Sequence, residues 1–142
     1  VVMLAVFIPM VMGSAGNIGT QSLAVVVRGL AVGTIDKKSV RKLIQCQFFI
    51  GIIVGFLCGL VIAIVISLIP FLQSSWLLGL IVGGSIMASL SVVCVVGAVM
   101  PLLINKLKLD PALASGPFVT AIGDILSLSI YFSIATSLLE YL

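Results

Sequence analysis

The sequence predicts an all-α fold, a polytopic bundle of transmembrane helices, and three observations predict it. Hydrophobic residues make up 62% of the chain and charged residues 8%. The mean hydropathy of the 142 residues is +1.45, more apolar surface than a water-soluble domain of this size has reason to carry. The apolar runs are long and continuous, whereas a membrane β-barrel would show short segments of alternating polarity.

Four spans are readable, at about 1–28, 43–69, 77–104 and 112–139. Some exceed the roughly 20 residues that a bilayer needs, which leaves room for tilt or for extension into the headgroups. The connection after the first span carries Arg28, Lys37, Lys38, Arg41 and Lys42 against Asp36, and the connection after the third carries Lys106 and Lys108. The turn at 70–76 between them has no charge and ends in Trp76, a residue suited to the membrane interface. Lys and Arg mark cytoplasmic loops. The basic connections are therefore expected inside the cell membrane, with the uncharged turn and both chain ends outside and Glu140 just past the last span. The net charge of +3 then reports on topology and lipid headgroups, and no nucleic-acid partner is expected. Cys46, Cys58 and Cys94 are an odd set within apolar stretches, so no disulfide framework is implied. With no His and no paired-Cys motif, a zinc or iron site is not expected. The chain opens at Val1 inside an apolar run without a charged leader, which reads as a piece of a longer chain and not as a signal peptide.

In the first span, Pro9 leads into a stretch in which Gly13, Gly16, Asn17, Thr20, Gln21 and Ala24 share one helical face. Amide side chains and glycines deep in a membrane suggest a loosened backbone lining a cavity. Small residues and amides also pack and glue helices, so both readings stand at this point. In the second span Gly51, Gly55, Gly59, Ala63 and Ser67 repeat every four residues, a helix-packing seam. The third span is again packing material, with Gly79, Gly83, Gly84, Ser85, Ala88, Ser89 and Ser91, and Pro101 falls near its cytoplasmic end, where a kink or stop is tolerated. The segment from Gly79 to Gly83 lacks the Lys-Ser/Thr of a phosphate loop.

The last span holds the residue around which the chain is organised. Asp110 and Pro111 predict a helix start and a helix running to about Leu139, with Asp124 near its middle. A carboxylate at the bilayer centre costs roughly 2.5–3.5 kcal/mol on insertion scales, so it is expected to face the protein interior or a water-filled path. Gly116, Thr120, Gly123, Ser127 and Tyr131 form a small or polar stripe beside it. Asn17 and Asp124 fall at similar depth on helices of opposite direction. Arg28 belongs to the connection at the end of the first span, and no Lys, Arg or His lies deeper in the membrane to neutralise Asp124. An unpaired carboxylate beside Thr, Gly, Asn and Gln suits a hard cation, and Mg²⁺ is the natural candidate because it keeps several waters and takes only one or two carboxylates. Thiolates and imidazoles, the ligands of softer metals, are missing from the stripe. Proton carriage by Asp124, or a purely structural hydrogen bond to a neighbouring helix, remains open. An enzyme is disfavoured: Ala121-Ile-Gly-Asp124 departs at Ala121 from the Gly-x-Gly-Asp of intramembrane aspartyl proteases, and the chain has no second membrane carboxylate for a dyad.

Together the stretch from Pro9 through Gly16-Asn17-Ile-Gly19-Thr-Gln21, the opening Arg28-Gly-Leu-Ala of the basic loop, and Leu109-Asp-Pro-Ala-Leu-Ala-Ser-Gly-Pro-Phe-Val-Thr120 leading to Asp124 resemble the membrane domain of the MgtE magnesium channel family. The resemblance implies a homodimeric Mg²⁺ channel whose pore, at the dimer interface, is walled by the first and last spans. It matches Asp124 to the carboxylate that holds hydrated Mg²⁺. Gly116 and Thr120 match pore-lining positions where the family often has Asn and Ala. Asn17, Thr20 and Gln21 are expected to line the pore from the first span. It also implies a parent chain with a further membrane helix ahead of these four, and either cytoplasmic regulatory domains, as bacterial members carry and the compact loops favour, or a second membrane unit without them, as in animal members.

Overall fold

The computed structural model describes residues 2–36, 39–68 and 76–139. Lys37, Lys38, Glu140 and the uncharged turn up to Ser75 lie outside the described residues. The helices are α1 (Val2–Ala5), α2 (Ile8–Val32), α3 (Val40–Leu68), α4 (Trp76–Lys106) and α5 (Gly116–Leu139). Four of them, α2 to α5, are long and apolar enough to cross a membrane, and the chain is a multi-pass membrane protein.

The helix ends depart from the sequence reading for local reasons. The first span is broken, not continuous from residue 1. Pro9 has no N–H, and its ring would strike the carbonyl of Ala5, four residues back. The helix therefore stops at Ala5 and restarts at Ile8, with Val11 N–H donating to Phe7 O at 3.0 Å. At the other end α2 passes Arg28 and runs to Val32, because a charge at the interface does not stop a helix. Gly33 does: it takes a left-handed φ of 74° and its N–H donates back to Leu30 O. Between these ends α2 is regular, so the expected loosening at Gly13, Gly16 and Gly19 does not occur. Each glycine is instead a missing side chain on an intact helix.

The last helix begins at Gly116 and not at Pro111. Pro111–Leu113 makes a single 3-10 turn, and Ser115 O receives the N–H groups of Phe118 and Val119, both at 3.1 Å. A helix continuous from Pro111 would put Pro117 in its second turn, where it breaks the ladder; starting at Gly116 puts it in the first turn, where no partner is needed. Asp124 is thus nearer the start of its helix than the sequence suggested. In α4, Pro101 is buried inside a helix that continues to Lys106.

The glycines of α3 form the expected seam, and its partner is α4. A methyl group on Gly51 would stand 2.6 Å from Ser91 Cα, one on Gly55 2.7 Å from Met87 Cα, and one on Gly59 2.7 Å from the Gly83 carbonyl oxygen. The pairs step by four along both helices in opposite directions, so two antiparallel backbones touch over about two turns. α4 is also the hub for the rest, packing on α2 and α5 as well as α3. Hydrogen bonds pin each contact. Ser22 Oγ donates to Cys94 O at 2.6 Å (α2 to α4), Cys94 Sγ to Gln47 Oε1 at 3.3 Å (α4 to α3), and Ser89 Oγ reaches Ser127 O at 3.1 Å (α4 to α5).

One further pin closes the far end. The fully buried Tyr131 donates its hydroxyl to Leu4 O at 3.0 Å, tying α5 to α1. Tyr131→Phe is expected to cost about 1–3 kcal/mol by leaving that buried carbonyl with one partner fewer. A lowered melting temperature in detergent, with faster hydrogen exchange at Val2–Ala5, is the readout.

Candidate functional site

The site is the contact between α2 and α5, and it exists because α2 offers glycine where α5 brings its polar stripe. A methyl group on Gly16 would stand 2.9 Å from Thr120 Cγ2 and 3.7 Å from Asp124 Oδ1. An alanine at 16 would press on the Thr120 methyl and come into van der Waals contact with the carboxylate. One turn on, the Gly116 position faces the methyl of Thr20 at 3.7 Å. The two helices run antiparallel here: 16 meets 120 and 124, and 20 meets 116.

Asp124 is half-buried, and its Oδ1 is enclosed without a hydrogen-bond partner among the described residues. The neighbouring hydroxyls do not serve it. Ser127 Oγ donates to the main-chain carbonyl of Asp124 at 3.1 Å, and Thr20 Oγ1 turns back to Gly16 O and Asn17 O, both at 2.9 Å. A carboxylate only accepts hydrogen bonds, and buried acceptors are nearly always satisfied, so this oxygen lacks a donor that the described residues do not provide. Among the described residues no group of three or more His, Cys, Asp or Glu side chains could hold a metal ion. A cation here would meet one carboxylate per chain.

The face predicted on the first span is split. Gly16 and Thr20 lie against α5, whereas Gly13, Asn17, Gln21 and Ala24 are exposed along the adjacent side of α2. Gly13 has no atom within 4 Å of where a side chain would begin. On α5 the stripe divides likewise: Gly123, Ser127 and Tyr131 are buried towards the bundle, and Gly116, Thr120 and Asp124 are half-buried.

Two supporting residues escaped the sequence reading. Val93 of α4 sits behind the site, its Cγ1 3.0 Å from a methyl placed on Gly123 and 3.2 Å from one placed on Gly19. Gly97 lets α4 approach so closely that a side chain there would collide with the Gly19 carbonyl oxygen. Val93 is one valine among many and carries no signal of its own. Gly97 could have been found as a further small residue in the third span, but nothing in the sequence says which helix it meets.

The MgtE family, described as a divalent cation transporter, matches residues 8–134. A protein of Bacillus subtilis named "Magnesium transporter MgtE" is 48% identical over the whole chain. Proteins of the same name from Enterococcus faecalis and Thermus thermophilus are 41% and 34% identical over 97% and 96% of it. The chain spans 31%, 30% and 30% of the lengths of these three relatives. The family match reaches into all four long helices and covers both sides of the α2–α5 contact: the chain belongs to the MgtE family.

Proposed function

We propose that the chain forms the membrane domain of a Mg²⁺ channel or transporter, in which hydrated Mg²⁺ moves along the α2–α5 face and is held at Asp124. The observation that carries this reading is the enclosed Asp124 Oδ1 without a donor. A hydrated Mg²⁺ supplies both things that oxygen lacks, a positive charge and the O–H donors of its retained waters, and one or two carboxylates suffice for it. Asn17 and Gln21, exposed on α2 beside Gly16, offer amide groups to those waters. Thr20 and Thr120 shape the path with their methyl groups, and Gly116 leaves room beside Thr20. The names of the relatives support Mg²⁺ among the hard cations; the same site admits other divalent ions of similar size.

A single chain leaves this face open on one side. A second copy, related by a two-fold axis along the path, would close it and add a second Asp124, so a homodimer is part of the proposal. The test is growth of a host lacking its own Mg²⁺ transporters on limiting Mg²⁺, using the full-length protein. Wild type is expected to rescue and Asp124→Asn to fail while reaching the membrane as a dimer. Loss of the dimer in that variant would instead mark Asp124 as a helix-assembly residue.

Two further outcomes follow from the same geometry. Gly13 is exposed and a Cβ there has no described atom within 4 Å, so with Gly13→Phe folding and expression are expected to hold while uptake falls at least tenfold. Unchanged uptake would move the path off this face. The basic connections are expected in the cytoplasm. Single cysteines on a background without the three native ones test this: at residue 39 a membrane-impermeant reagent added outside is expected to leave the cysteine unlabelled, and at residue 74 to label it. The reverse pattern inverts the topology.

A further inference from the structure

All seven Lys and Arg residues of the chain fall within 28–42 or 106–108, the ends at which α2, α3 and α4 converge. Between those ends lies a cleft of about 740 Å³, within the size range of small-molecule sites. Its lining is graded along the helices. Val99 and Leu102 of α4 and Ile44 of α3 make the apolar wall, while the polar groups Asn105, Lys106 and Asp36 lie at the helix ends beside Leu30, Ile35 and Val40. Lys106 is the last residue of α4, about 10 Å beyond Val99 along the axis. Apolar wall on the membrane side and a cation at the helix end is the order in which a phospholipid presents its acyl chain and its phosphate.

We propose that this cleft holds one anionic phospholipid, with the phosphate on Lys106 and Asn105 and an acyl chain against Val99, Leu102 and Ile44. The excess of cations at this end selects a negative headgroup, since basic pockets between membrane helices attract such lipids. Asp36 at the same end accepts hydrogen bonds, so a headgroup carrying hydroxyls, as phosphatidylglycerol does, satisfies both signs there. A helix from elsewhere in a longer chain would also cover apolar wall, but the grading from wall to cation favours a lipid. The site is separate from Asp124: Leu30, which also lines it, lies about 20 Å along α2 from Gly16.

The experiment reconstitutes the full-length protein in vesicles of phosphatidylcholine and phosphatidylglycerol in equal parts, extracts it into mild detergent, and counts retained lipids by native mass spectrometry. One phosphatidylglycerol per chain is expected to survive extraction in preference to phosphatidylcholine. Lys106→Gln is expected to lower that occupancy roughly fivefold, the share of one lysine near a membrane surface. Lys108→Gln, outside the cleft, is expected to leave it unchanged. Val99→Trp, which fills the cleft, is expected to displace lipid whatever its headgroup. Equal retention of the two lipids, retention unaffected by Lys106→Gln, or exclusion of lipid by another part of the full-length protein would overturn the proposal. So would displacement of the lipid by soluble glycerol phosphate, which would mark a free-phosphate site.

Discussion

Asp124→Asn is expected to reduce Mg²⁺ uptake by at least two orders of magnitude while the protein inserts and folds normally. The substitution keeps size and one acceptor but removes the charge that the proposed function assigns to binding the ion. Removing one partner of a buried charge pair costs roughly 3–5 kcal/mol, about two to four factors of ten in ion occupancy, and the proposed two-fold assembly would lose both carboxylates at once. Insertion is not the weak point, because the variant no longer carries the roughly 2.5–3.5 kcal/mol that a central carboxylate costs. The fold is expected to survive the change as well, since Asp124 Oδ1 makes no hydrogen bond with the described residues that a helix contact could lose. Asp124→Glu keeps the charge but moves it one methylene farther from the helix, so an intermediate loss is expected. The measurement is Mg²⁺ entry into proteoliposomes, with dimer content and melting temperature followed in parallel. Wild-type entry by Asp124→Asn would remove this residue from the mechanism.

The second large effect is structural. Gly55→Leu is expected to prevent formation of the native bundle, because its Cβ alone would sit 2.7 Å from Met87 Cα and 3.1 Å from Met87 O. Those are backbone atoms of α4 and cannot rotate away as a side chain would. The two helices must separate, and the contacts on both sides of the seam go with them. Even Gly55→Ala is expected to reach or exceed the usual 1–3 kcal/mol of overpacking. Gly84→Ala is the control: it lies on the same helix pair, is exposed, and has nothing within 4 Å of the new methyl. There the substitution is expected to be neutral or to stabilise by up to about 1 kcal/mol through helix propensity. Thermal unfolding in detergent separates the two, and equal melting temperatures for the two alanine variants would contradict the close α3–α4 approach.

The membrane-spanning bundle was legible from composition alone, since continuous apolar runs of bilayer length have few other uses. The four-residue repeat of Gly51, Gly55 and Gly59 was legible as a seam because small residues at helical spacing make a groove whatever faces it. Its partner was not: α4 was identified by a matching series at Ser91, Met87 and Gly83, only one of which is a glycine. Asp124 stood out because a carboxylate inside an apolar helix is costly wherever it points. That its Oδ1 has no donor could be known only from the fold, because Ser127 and Thr20 were equally able in sequence to serve it and both turned to main-chain carbonyls instead. The helix ends went the same way. Pro9 and Pro117 were visible from the start, but whether each breaks a helix or begins one depends on the register in which the neighbouring turns pack. The separation of α2 into a packed edge at Gly16 and Thr20 and an open edge at Gly13, Asn17 and Gln21 was likewise set by where α5 lands. Periodicity puts residues on a common face, but the angle at which the next helix crosses that face decides which of them are covered.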